Sequence, residues 1–146
     1  MRLTLHSTKV LNLSLKQHGV PEEVGNADVW IPESLPSDEK VESKFALNHT
    51  AAYAEDSSRA FAIIFDFSTV LPEQSLELEL EYLAEFKTDE DISDEFKQSG
   101  FPKVNAPAIA FPYLRAFISN LLLSGGHNPV LLPSINFAAR NAERDN

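Results

Sequence analysis

The residue types that most often carry catalysis or bind metal ions are scattered along this chain. The sequence contains no cysteine, which excludes disulfides and thiolate metal ligands. Gly125-Gly126 belongs to no phosphate-loop pattern and is typical of a helix end, and no nucleophile motif surrounds Ser124. The histidines lie far apart, without the spacing of a metal site: His6, His18, His49 and His127. We therefore expect no enzymatic activity and no cofactor, metal ion or nucleotide.

Acidic residues are the second group that could do chemistry. Residues 89–91 read Asp-Glu-Asp, which does not match the ligand spacing of a Ca²⁺-binding loop, so a solvated turn is the simpler interpretation. Glu77, Glu79 and Glu81 alternate with apolar residues and so share one face of a strand, about 7 Å apart. We interpret this acidic face either as a plain solvated sheet surface or as a docking surface for a basic partner.

Composition and charge limit the classes of partner. The chain of 146 residues carries a formal net charge of −10 at pH 7, which disfavours binding to nucleic acid or to anionic membranes. The most apolar stretch, residues 106–123, contains Pro112, Arg115 and further polar residues, so it is a poor membrane span. The N-terminus lacks the features of a signal peptide. These features predict a single domain over residues 1–146, located in the cytoplasm and not inserted in a membrane.

Apolar and polar residues alternate in four segments, and this period of two predicts β-strands. The segments are residues 8–16, 45–53, 61–68 and 76–82. Short turn-forming links join the second segment to the third and the third to the fourth, so we expect hairpins and an antiparallel sheet. One face of each strand is apolar and must be covered by other elements. His49 falls on such a face, where a role in the core is the simplest interpretation.

A long helix is predicted to cover the apolar face of this sheet. It begins at Pro107 or Pro112, since proline fits the first turn of a helix, and ends before Gly125-Gly126. Its surface is apolar nearly all round, whereas a helix packed on one sheet needs a single apolar stripe. We therefore expect a second subunit to contact it. The predicted oligomer interface consists of Phe111, Tyr113, Leu114, Phe117, Ile118 and Leu121.

Two shorter elements complete the prediction. Residues 88–97 form a short helix or a loop, and a short terminal helix lies around residues 137–140. The predicted fold class is therefore α+β: a four-stranded antiparallel sheet with one long helix and a short C-terminal helix packed on one face.

The helix and the segment after it carry a family likeness. Residues 105–115, Asn-Ala-Pro-Ala-Ile-Ala-Phe-Pro-Tyr-Leu-Arg, resemble the signature of the SecB family, in which an apolar residue precedes Phe-Pro-Tyr and an Arg follows. Residues 118–121 continue the likeness, and Gly125 stands where the family ends this helix. Residues 129–137, Pro-Val-Leu-Leu-Pro-Ser-Ile-Asn-Phe, resemble the family's next motif. Upstream the similarity is weaker but collinear, with Trp30-Ile31-Pro32 in a crossing loop.

The resemblance implies a cytoplasmic, ATP-independent holdase chaperone that is not an enzyme. Such proteins assemble as a tetramer, a dimer of dimers, and hold unfolded or non-native polypeptides in apolar grooves. Their clients are preproteins for export, passed to the SecA motor, or a dedicated client such as an antitoxin in toxin–antitoxin systems. The resemblance implies a polypeptide-binding groove that is lined by Trp30, Phe45, Leu47, Val130, Leu131, Leu132, Ile135 and Phe137.

The sequence departs from the family at the positions that meet SecA. Residues 10–14 lack the acids that export members carry on the first strand, although Glu79 matches an acid on a later strand. Generic chaperoning is therefore the stronger expectation and docking to SecA the weaker one. The alternatives are a small-molecule-binding domain, which needs convergent polar groups, and a structural α+β oligomer without chaperone activity. We also expect a charge at Trp30 or Leu132 to impair client holding more than folding, and a charge at Phe65 to unfold the protein.

Overall fold

The structure is a computed structural model that describes residues 1–18 and 44–144. Trp30 lies outside the described residues. Within them, four strands form one antiparallel sheet, as the sequence predicts, and the strand order is β1-β4-β3-β2. The strands are β1 (Leu3–Gln17), β2 (Lys44–Tyr53), β3 (Ala60–Leu71) and β4 (Leu76–Thr88). A single 3₁₀ turn (Pro72–Gln74) joins β3 to β4.

The two central strands, β3 and β4, supply most of the core. Along β3 every second side chain from Phe61 onward is buried, and β4 opposes it so that Phe65 faces Tyr82 and Phe67 faces Leu80. Because side chains alternate across a strand, one face of the sheet is apolar and the other polar. His49 of β2 lies on the apolar face and is half-buried, in agreement with the interpretation as a core residue.

Strand β1 is longer than the predicted residues 8–16, and its register against β4 shifts twice. The shifts fall between Leu5 and Ser7 and between Val10 and Asn12. Each extra residue in such a bulge interrupts the period of two, so the sequence pattern conceals the full length of the strand. One consequence is that Val10, rather than Leu11, lies opposite Tyr82 of β4.

The helices follow β4 in the chain. Helix α1 (Asp94–Gln98) is capped by Ser93, whose hydroxyl accepts a hydrogen bond from the Phe96 N–H at 3.1 Å. One turn of π-helix (Phe101–Asn105) leads into helix α2 (Ala106–Ser124), and helix α3 (Phe137–Arg144) ends the described chain.

The long helix α2 starts at the earlier of its two predicted positions. Pro107 lies in its first turn, where the missing N–H costs nothing, and Pro112 lies inside the helix without ending it. At the C-terminus the chain turns through Gly126, whose φ of 86° is open to glycine without strain. The N–H of His127 donates to the Leu122 carbonyl at 2.8 Å, which closes the helix end as predicted.

All the helices pack on the apolar face of the sheet, so the predicted α+β fold class is confirmed. Helix α2 contacts β1, β3 and β4, and Phe137 anchors α3 beside β2 through ring contacts with His49 and Phe65. The outer face of the sheet carries the acidic residues of β4, and none of the helices in residues 44–144 packs on it.

Candidate functional site

Helix α2 carries two apolar stripes: one is buried against its own sheet and the other is partly exposed. Phe111, Leu114 and Ile118 lie on the buried stripe and are 5%, 0% and 1% exposed. These residues belong to the predicted oligomer interface. Their spacing of three to four residues places them on the side of the helix that faces the sheet. In this structure they therefore contact the core of their own chain and present almost no surface to a second subunit.

The second stripe of α2 points away from the sheet centre. Ile109, Tyr113, Phe117 and Leu121 are spaced by four residues and so follow one side of the helix. Tyr113 is 54% exposed and Ile109 41%, while Phe117 and Leu121 are half-buried. This stripe therefore contains the part of the predicted interface that remains accessible, together with Ile109, which the sequence prediction omitted.

Edge strand β1 extends the second stripe. The Phe117 ring packs on Tyr82 with centroids 5.5 Å apart, and Val10 of β1 lies opposite Tyr82 in the sheet. Val10 and Leu13 are 36% and 40% exposed, which is high for aliphatic residues on the helix-covered face. The helix–edge patch, as we define it here, consists of Val10, Leu13, Ile109, Tyr113, Phe117 and Leu121.

A second apolar surface lies in the linker segment, residues 128–136, which joins α2 to α3 without regular secondary structure. Leu131 is 94% exposed, whereas its neighbour Leu132 is 4% exposed and belongs to the core. Val130 and Ile135 are half-buried against the core. Of the groove residues predicted in this segment, Leu131 is fully accessible, Val130 and Ile135 are partly so, and Leu132 supports the segment from beneath.

The predicted groove residues on β2 and α3 divide in the same way. Phe45 is 39% exposed at the start of β2 and its ring stacks on Phe67 with centroids 6.2 Å apart. Leu47 and Phe137 are each 3% exposed. Phe137 meets the Phe111 ring edge-on with centroids 5.8 Å apart. Leu47 and Phe137 therefore belong to the core and support the surface residues beside them.

Helix α3 is also fixed to the free edge of β2. The guanidinium of Arg140 donates a hydrogen bond to the Leu47 carbonyl, and Nε2 of His49 lies 3.2 Å from the Lys103 carbonyl oxygen. An edge strand exposes backbone groups that can pair with another chain, so these contacts cover part of the edge. The contacts at Leu47 and His49 place α3 and the π-helical turn beside the middle of β2.

The acidic residues of β4 lie together on the outer face of the sheet, as their alternation predicts. Oε2 of Glu77 lies 3.0 Å from Nε2 of His18. Glu79 and Glu81 border a shallow depression of about 260 Å³ that Asp66 of β3 also lines. Three carboxylates therefore share this part of the outer face. The arrangement fits either of the two interpretations of the acidic face.

Other charged contacts in the described chain have a structural explanation. Asp91 accepts hydrogen bonds from the Ser58 hydroxyl at 2.8 Å and from Arg59 Nε at 3.0 Å, and these two contacts lower the pKa of its carboxyl. The pKa of the Asp89 carboxyl is also lowered, chiefly because it accepts a hydrogen bond from the Arg2 backbone N–H. Both contacts fix the loop after β4 to the residues that immediately precede β1 and β3.

The described residues form no metal site, and one helical stretch has the length of a membrane span. Across residues 1–18 and 44–144, no group of three His, Cys, Asp or Glu side chains could hold a metal ion. By length and composition the helical stretch Phe101–Ser124 could cross a membrane. It buries one stripe on its own sheet, which accounts for that part of its apolar character.

The described chain is thus an antiparallel sheet with helices on one face and apolar side chains exposed on its edge strand, its long helix and its linker. That combination defines a small α+β domain that presents apolar surface. The model of the family described as preprotein translocase subunit SecB matches residues 26–145. The chain therefore belongs to the SecB family, as the motifs in α2 and the linker segment predict.

Comparisons with individual proteins agree with this assignment. The chain is 28% identical over 116 residues to an uncharacterized protein of Methanocaldococcus jannaschii, covering 77% of this chain and 72% of that protein. A stretch of 36 residues is 50% identical to the protein-export protein SecB of Magnetococcus marinus, covering 25% of this chain and 23% of that protein. The fold resembles a Mycobacterium tuberculosis SecB-like chaperone solved with an antitoxin peptide, with a TM-score of 0.63 and 14% identity, covering 92% and 88% of the two chains.

Proposed function

We propose that this protein is an ATP-independent holdase that binds unfolded or non-native polypeptides on exposed apolar surface. The observation that carries the proposal is Leu131, which is 94% exposed between a half-buried and a buried neighbour. Keeping a leucine in water forgoes about 1.5–3 kcal/mol of burial energy, which a client that covers the side chain would recover. An apolar client would bury this side chain.

The client-binding surface in this proposal comprises a subset of the predicted groove. Leu131, Val130, Ile135 and Phe45 provide accessible or partly accessible apolar surface. Leu47, Leu132 and Phe137 lie in the core beneath it, and Trp30 joins the groove on the strength of the family resemblance. Apolar contact is independent of sequence, which suits a protein that must hold many different unfolded chains.

The proposed assembly is a tetramer, a dimer of dimers, and the helix–edge patch supplies one of its interfaces. A monomer would leave Tyr113, Ile109 and Val10 in water on the same side of the molecule. A second copy can cover them by the same stripe, since symmetric dimers bring identical surfaces together. This arrangement explains why α2 is apolar on two sides.

The proposed location is the cytoplasm, and the clients are exported preproteins or a dedicated partner such as an antitoxin. The antitoxin peptide bound to the M. tuberculosis relative supports a polypeptide client. The outer acidic face, with Asp66, Glu79 and Glu81, is the surface we propose for a basic partner, including SecA. The absence of acids in residues 10–14 keeps the SecA assignment secondary to general chaperoning.

An aggregation assay tests the holdase proposal. A thermally unfolded reporter enzyme is followed by light scattering with and without the purified protein, in the absence of nucleotide. We expect suppression of scattering at near-equimolar subunits, unchanged by added ATP or by a chelator. Scattering identical to that of the reporter alone would instead favour a structural oligomer without chaperone activity.

A further inference from the structure

The first residue of the linker segment is held by a side chain from a distant turn. Gln74, at the end of the Pro72–Gln74 turn, donates from Nε2 to the Asn128 carbonyl at 3.0 Å and accepts from the Asn128 N–H through Oε1 at 2.7 Å. Both backbone groups of one residue are thus satisfied by one amide. Gln17 of β1 donates to the Gln74 carbonyl at 2.9 Å and steadies the turn from the other side.

The chain immediately before Asn128 is fixed to the end of α2 by backbone hydrogen bonds. The N–H groups of Gly125, Gly126 and His127 donate to the carbonyls of Leu121, Leu123 and Leu122. Gly126 takes a φ of 86°, which glycine adopts without strain. The two hydrogen bonds from the Gln74 side chain extend this fixed backbone to Asn128.

Contacts beyond Asn128 fix the residues on both sides of Leu131. The Ser119 hydroxyl donates to the Val130 carbonyl at 3.4 Å, a long hydrogen bond, and Leu132 is buried in the core. Leu131 lies three residues after Asn128 and is 94% exposed. The Gln74 contacts at Asn128 and these two contacts therefore fix the backbone before and after Leu131, so the exposed side chain projects from a segment held at both ends.

We propose that Gln74 is a positioning residue for polypeptide binding, which fixes Asn128 and thereby sets where Leu131 is presented. The proposal rests on the proposed holdase function and adds a residue that the apolar groove does not contain. A surface that is already ordered loses less conformational entropy when a client binds, so the bridge from Gln74 increases affinity without touching the client. Gln74 is polar, lies in a turn and is remote from the linker segment in sequence.

The test is a double-mutant cycle on client affinity. The probe is fluorescein-labelled α-lactalbumin, reduced and alkylated so that it stays unfolded, and its dissociation constant is measured by anisotropy. Gln74→Ala is expected to weaken binding about fivefold, equivalent to one ordinary hydrogen bond. In a Leu131→Ala background the same change is expected to have little further effect, because the residue that Gln74 positions no longer contributes.

Two controls keep structural damage apart from positioning. Gln17→Ala removes the neighbouring hydrogen bond to the turn and leaves the Gln74 amide on Asn128, so its affinity should stay close to that of the parent protein. Gln74→Glu retains the acceptor for the Asn128 N–H and should give a smaller loss than Gln74→Ala. It also provides the comparison if the alanine variant does not fold.

The outcomes separate this proposal from the function on which it rests. An equal loss in both backgrounds would show that Gln74 acts elsewhere, and no loss in either would show that it has no role; both results overturn the proposal. A Leu131→Ala variant that binds as tightly as the parent overturns it as well. The holdase function itself fails only if the parent protein does not bind the unfolded probe.

Discussion

Leu131 and Leu132 are adjacent residues of the same type in opposite environments, so truncating each to alanine separates binding surface from core. Leu132 is 4% exposed, and replacing a buried leucine by alanine costs about 2–5 kcal/mol in the free energy of unfolding. Leu131 is 94% exposed, and substitutions at such positions change the free energy of unfolding by about 0.5 kcal/mol or less. We therefore expect Leu132→Ala to lower stability strongly and Leu131→Ala to leave it nearly unchanged.

Client affinity should respond in the opposite order. If a client buries the Leu131 side chain, the variant loses part of the roughly 1.5–3 kcal/mol that complete burial of such a side chain provides, which corresponds to about a tenfold weaker dissociation constant. Leu132→Ala, assayed below its melting temperature, should retain the exposed leucine and bind nearly as well as the parent. This expectation differs from the one based on sequence, which assigned Leu132 to the groove surface.

The assay combines urea denaturation, followed by circular dichroism, with anisotropy of a labelled unfolded client. Equal destabilisation of the two variants would show that Leu131 is packed in the assembled protein, and the exposure argument would then be wrong. A Leu131→Ala variant with full stability and full client affinity would remove Leu131 from the binding surface. The adjacent positions and identical substitution make each variant the control for the other.

Three further predictions follow from the packing and the charges. Tyr113→Glu places a charge in the helix–edge patch and should shift the assembly to smaller species in sedimentation velocity while circular dichroism is retained; an unchanged sedimentation coefficient would exclude this patch as an interface. Phe65→Asp should prevent folding, since Phe65 is fully buried in β3, and a cooperative native-like melt would contradict this. Asp91 has a lowered pKa, so its contacts stabilise the fold above the unfolded pKa of about 3.9 and lose that effect as pH falls further. Asp91→Asn should therefore lower the melting temperature at neutral pH, and the difference from the parent should shrink on acidification; a constant difference would contradict the assignment.

The sheet was predictable from sequence because hydrophobic alternation is dense in β3 and β4. The period of two from Phe61 to Leu71 and again from Leu76 to Thr88 reports the same alternation that the structure shows as buried and exposed side chains. Strand β1 was only partly predictable, since its bulges break the period before residue 8 and after Val10. The start of α2 stayed ambiguous because proline is tolerated at the first turn and, at a cost, inside a helix.

The surface was less predictable than the fold. Sequence patterns identify apolar residues, but they do not distinguish a leucine that faces solvent from an adjacent one that is buried, as Leu131 and Leu132 show. In α2 the sequence shows that the helix is apolar on two sides, but which of the two stripes is buried against the sheet depends on tertiary packing. The bridge from Gln74 to Asn128 joins residues 54 positions apart and leaves no local signal in the sequence.

Binding of one protein in its unfolded and native forms tests the central claim most directly. Reduced, alkylated α-lactalbumin and its native, disulfide-bonded form have the same sequence, so apart from the alkylated cysteines they differ in exposed apolar surface and backbone. Titrated into the purified protein without nucleotide, the unfolded form is expected to bind saturably and the native form not to bind. Equal affinity for both forms, or no binding of the unfolded form, would contradict the account of this SecB-family protein as a holdase.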